Sequence, residues 1–88
     1  MNQSDPKKAR EAMLAAVESQ LKANDPPKVK ETFNRLVSIG ISKQDSKKYI
    51  ACALSVEIFG AMQNLEEFNP QRYEQNLDSL PDMPWEDE

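Results

Sequence analysis

Apolar residues along this chain recur at three- and four-residue intervals in four separate runs, each bounded by a cap residue or a proline, which predicts four helices. The first run opens at Asp5-Pro6: a side-chain acceptor at N-cap, then a proline at the first helical position, where its missing N–H is not needed. Ala9, Met13, Val17 and Leu21, with Ala16 beside them, form one narrow stripe, and Lys7/Glu11 and Glu18/Lys22 pair at i,i+4 outside it. The stretch "NDPP" then breaks the helix near Asn24, because each proline disfavours helical geometry in the residue before it and lacks a donor.

The second run restarts at Pro26 or Pro27 and carries Val29, Phe33, Leu36 and Val37 on one face. Gly40 suits the left-handed position after its end, with Ile41 placed to touch Leu36, as in a Schellman ending. Ser42 is the next N-cap, with Asp45 three residues on where a capping box has Glu or Gln. A long third helix follows, from Lys43 to about Asn64. Ile50, Leu54, Ile58, Ala61 and Leu65 fill one side and Cys52, Val56 and Phe59 another, so it is apolar almost all round. Such a helix is central or lies in an oligomer interface, and a homodimer through it is one expectation. Gly60, inside it, suggests either a close approach by a neighbour or a tolerated weakness. The fourth run begins at Asn69-Pro70, with Phe68 and Tyr73 spaced as a hydrophobic staple, carries Leu77 and Leu80 inward, and stops at Pro81.

The expected fold is therefore all-α: a small four-helix bundle over residues 1–81 with a long central third helix, and a disordered acidic C-terminal tail over residues 82–88. At 88 residues there is room for one core and none for a cleft between two lobes. A single cysteine suits a reducing compartment, and the absence of both an apolar leader and a long apolar run points to a cytoplasmic protein with no membrane partner.

Charge divides the chain further. Residues 1–27 are neutral on balance, residues 28–56 sum to +4 and residues 57–88 to −8. Lys43, Lys47 and Lys48 thus form a basic face that could meet nucleic acid or the acidic tail.

Two segments resemble known patterns. "TFNRLVSIGIS", "IACALSVEIF" and "FNPQRYEQNLDSLP", within residues 32–81, resemble a group of short helical bacterial proteins of unknown function. That resemblance implies a helical bundle and a bacterial source and brings no activity with it. "FNRLVSIGISKQDSKKYIACAL" resembles a helix-turn-helix, which implies phosphate contacts by Lys43, Lys47 and Lys48, although Ser46 is polar where a recognition helix usually buries an aliphatic residue. Its "SIGIS" also resembles the loop of ubiquitin-associated three-helix modules.

Chemistry is restricted by what is missing. With no histidine, the commonest general base and metal ligand is absent, and a lone Cys52 cannot build a structural zinc site. Two glycines twenty residues apart make no phosphate loop. No catalytic residue, metal or cofactor is expected, and Cys52 reads as a small core residue. Glu57 is the one charge between Tyr49 and Met62. Arg35, Arg72, Lys30 or a tyrosine hydroxyl could pair with it, and a buried pair would set helix register.

The functional expectation is a small protein-binding or accessory protein without catalytic activity, with an unidentified protein as partner. Trp85 would anchor that partner, helped by Met83, Asp82, Glu86, Asp87 and Glu88 in "PDMPWEDE". The alternative is a nucleic-acid-binding regulator built on residues 32–54.

Overall fold

Each helix boundary is set by a few residues of local chemistry. The computed structural model describes residues 6–64 and 67–83. Within them lie four α-helices and no strand: α1 (Pro6–Ala23), α2 (Pro27–Ser38), α3 (Lys43–Asn64) and α4 (Pro70–Ser79). Asp5, Leu65, Trp85, Glu86, Asp87 and Glu88, to which the sequence assigned roles, lie outside the described residues.

The turn from α2 to α3 is a complete Schellman ending. Gly40 has φ +101°, its N–H donates to the Val37 carbonyl (3.0 Å), and the Ile41 N–H donates to the Leu36 carbonyl (3.1 Å). Ser42 then caps α3 by accepting the Asp45 N–H at 3.0 Å. At α4, Asn69 Oδ1 accepts the Arg72 N–H (3.1 Å) and the Phe68 and Tyr73 rings meet edge to face at 5.7 Å, which is the staple. The end of α1 has a device of its own. Asn24 takes φ 54°, the Asn24 N–H donates to the Leu21 carbonyl, and the Asp25 N–H reaches the Gln20 carbonyl, a second Schellman pattern with asparagine in the glycine place.

The bundle forms around α3, which packs against each of the other three helices. Ile50, Ala53, Leu54 and Glu57 recur at i, i+3, i+4 and i+7 and put one stripe of α3 into the core. They meet Val17 of α1, Val29 and Leu36 of α2, and Tyr73, Leu77 and Leu80 on or next to α4. Burial of each large side chain in that set stabilises by about 1.5–3 kcal/mol. Of the two readings of Gly60, the structure fits the tolerated weakness: a Cβ built there meets nothing within 4 Å, so no described neighbour requires glycine.

Candidate functional site

The most buried charge in the described chain is Glu57, at 0% exposure on the core stripe of α3. Of the partners the sequence offered, Arg72 is the one beside it. Arg72 Nε donates to Oε2 (2.6 Å) and Nη2 to Oε1 (3.0 Å), a two-pronged contact that suits the guanidinium plane. The backbone N–H of Asn69, the N-cap residue of α4, donates to Oε1 as well at 3.2 Å. A carboxylate of α3 therefore sits at the positive end of the α4 dipole and satisfies a donor that has no partner within its own helix. Both Glu57 oxygens are engaged, and the carboxylate joins α3 to the start of α4.

Arg35, another partner offered for Glu57, does a different job. Its guanidinium donates to the carbonyls of Leu80 (2.8 Å), Leu77 (3.0 Å) and Asp78 (3.5 Å), closing the C-terminal end of α4 from α2. Lys28 reaches Asp78 at 3.0 Å across the same two helices, and that hydrogen bond, reinforced by the carboxylate's charge, raises the lysine pKa. Tyr73 completes the set. Its hydroxyl, buried with the ring, donates to Gln20 Oε1 of α1 at 2.9 Å, and burial raises its pKa while that bond lowers it in part.

The three lysines of the basic face have separate surroundings. Lys47 lies 2.6 Å from Glu18 of α1 with its ammonium 6.0 Å from the centre of the Phe33 ring; Lys48 lies 4.0 Å from Asp45; Lys43 is exposed. Asp82 is exposed and Met83 packs partly against the core. No ion pair joins Asp82 to any of the three lysines among the described residues. Ser46, the polar position of the helix-turn-helix resemblance, is fully buried, and its hydroxyl has no hydrogen-bond partner among the described residues.

Roughly half a turn of α3 away from Glu57, at 3.6 residues per turn, the helix presents a second face. There Lys48, Ala51, Cys52, Ser55 and Phe59 form one wall of an open groove, and Ala9, Arg10, Met13 and Leu14 of α1 form the other. Its volume is about 480 Å³. Phe59 is 50% exposed beside it, an unusual exposure for a ring that size next to an apolar wall. Ser55 turns its hydroxyl back onto the Cys52 carbonyl (2.8 Å), which lowers the polarity of the surface it offers.

Among the described residues no group of three or more Asp, Glu or Cys is placed to hold a metal ion, and no helix is long and apolar enough to cross a membrane. No family model, curated protein or solved structure matches the chain.

Sequence reasoning singled out Glu57 and missed the groove. A groove between two helices leaves only an indirect trace in the sequence: α3 is apolar on more sides than its neighbours can cover, and the stripe of α1 is narrow and alanine-rich.

Proposed function

We propose that this chain is a small protein-binding module without catalytic chemistry of its own, which receives an apolar helical segment of another protein in the groove between α1 and α3. The observation that carries this reading is the groove itself, whose α3 wall runs from Lys48 to Phe59 with Ala51, Cys52 and Ser55 between. Those positions follow i, i+3, i+4, i+7 and i+11, a full helical face roughly 16 Å long at 1.5 Å per residue, which matches about three turns of a partner helix. Met13 and Leu14 on the opposite wall are flexible apolar side chains able to close around such a segment. The single cysteine favours a reducing, cytoplasmic setting for this role.

The second reading, a regulator that binds duplex nucleic acid through residues 32–54, draws less support. Glu18 already stands 2.6 Å from Lys47 and offsets one of the three positive charges that phosphate contacts require.

Affinity capture with the intact chain and with Phe59→Glu separates these readings. Loss of captured partners in the variant, with an unchanged thermal melt, is the expected result. Retention of every partner when the groove is blocked removes the groove reading, and a salt-sensitive gel shift with any duplex would put the nucleic-acid reading in its place.

A further inference from the structure

The groove has a chemical preference beyond being apolar. Its charged lining residues, Arg10 on α1 and Lys48 on α3, are both cationic, and among the described residues no carboxylate lines it. Arg10 is exposed, and Lys48 keeps only a 4.0 Å contact with an equally exposed Asp45, a pair of the kind that contributes little. We propose that the occupant is an acidic amphipathic helix of a different protein, with apolar side chains at i, i+3 or i+4 and i+7 set against Phe59 and Met13 and carboxylates set against Arg10 and Lys48. This rests on the reading of the groove as the binding site.

The net charge of the chain, −4, repels an acidic partner at long range. That repulsion is screened beyond about 8–10 Å at ordinary ionic strength, whereas Arg10 and Lys48 stand at the groove itself. The same two cations weigh against a second copy of this chain: a two-fold interface on this face would set the cationic groove against itself. With an acidic helix, each cation gains an opposite charge at the rim of an apolar contact, the arrangement that speeds encounter and selects partners.

The test uses the full chain and three synthetic peptides of about fourteen residues. One carries leucines at i, i+3, i+4 and i+7 with glutamates elsewhere, one has lysines in place of the glutamates, and one scrambles the acidic sequence so that no apolar stripe forms. Binding is read by fluorescence anisotropy and by backbone amide shifts across α1 and α3. The acidic amphipathic peptide should bind at least about tenfold more tightly than the basic one in low salt. The scrambled peptide should not bind, and the Arg10→Glu/Lys48→Glu double variant should reverse the preference. Equal affinity for the acidic and basic peptides, lost in Phe59→Glu, overturns the acidic partner and leaves the groove reading standing. Absence of groove shifts with every peptide overturns both. A concentration-dependent dimer dispersed by Phe59→Glu, or groove resonances that shift when residues 84–88 are deleted, would assign the groove to a second copy or to the chain's own end and overturn the proposal.

Discussion

The two sides of α3 are built from similar apolar residues and finished in opposite ways. On the side facing α4, a buried carboxylate, a guanidinium fork and a backbone N–H lock helix to helix, and Arg35 closes the far end of α4. On the side shared with α1, Phe59, Cys52 and Met13 surround open space. Polar atoms mark where the bundle is closed, since a buried charge is tolerated only with its partners in place. On the α1 side the Lys47–Glu18 pair ties the two helices, and no such fixing is found among the groove-lining residues described. The difference separates the part of the molecule that sets the fold from the part proposed above to bind a partner.

The sharpest way to break this contrast is to remove Arg72. Glu57 then keeps one backbone donor and gains water where the half-exposed guanidinium stood, and Arg72→Ala should cost about 2–3 kcal/mol in urea unfolding. Replacing both partners, Glu57→Leu/Arg72→Leu, should recover most of that loss. A single Arg72→Ala cost below about 0.5 kcal/mol would show that the pair does not hold α4. Arg35→Ala comes next. It strips three carbonyls of a charged donor and should cost about 2 kcal/mol, read in the same titration.

The α4 side should also be sensitive to alkali. Burial raises the pKa of Tyr73 above its ordinary 10.0, so below about pH 10 both folded and unfolded chains keep the phenol proton and this group changes nothing. Above that pH the unfolded chain ionises first and stability falls. Lys28, raised from 10.5 by Asp78, acts in the same direction: its contribution is full below the unfolded value and disappears as pH rises through the folded one. Thermal melts should therefore be flat with respect to these two groups at neutral pH and fall above pH 10. Tyr73→Phe should flatten part of that fall, at a cost of about 1 kcal/mol at neutral pH for the lost Gln20 bond.

Two positions near the C-terminal end of α3, Gly60 and Phe59, should respond weakly. Gly60→Ala should raise stability by up to about 1 kcal/mol, because the added methyl meets no neighbour and alanine favours the helix. Phe59→Ser, at a half-exposed position on the groove, should change stability by less than about 0.5 kcal/mol while abolishing peptide binding. A large loss of stability in Phe59→Ser would erase the contrast between the two sides.

What could be read from the sequence followed from distance along the chain. Gly40 with Ile41, Ser42 with Asp45, and Asn69 with Phe68 and Tyr73 act within six residues of one another, so spacing alone reveals them. Arg35 and the carbonyl of Leu80, Lys28 and Asp78, and Tyr73 and Gln20 are separated by 45, 50 and 53 positions. Nothing in the local pattern pairs them, and Arg35 suited Glu57 as well as it suited a helix end. Asn24 was hidden for another reason: the prolines that follow it already explained why α1 stops. The partner of Glu57 fell between these cases. Arg72 lies fifteen residues away across one loop, near enough to be a candidate and too far to be chosen without the fold.

Arg35 has one more consequence, in the kinetics of opening. A ten-residue helix is marginal by itself. Here α4 is gripped at its start by α3 and at its end by α2, so it cannot unwind without releasing both. In amide hydrogen exchange, α4 should belong to the same cooperative unit as α2 and the core stripe of α3, exchanging only when the whole bundle opens. The first turns of α1, bordering the groove, should exchange through smaller and more frequent openings. The shortest helix would then be among the slowest to exchange, and the N-terminal half of an eighteen-residue helix among the fastest.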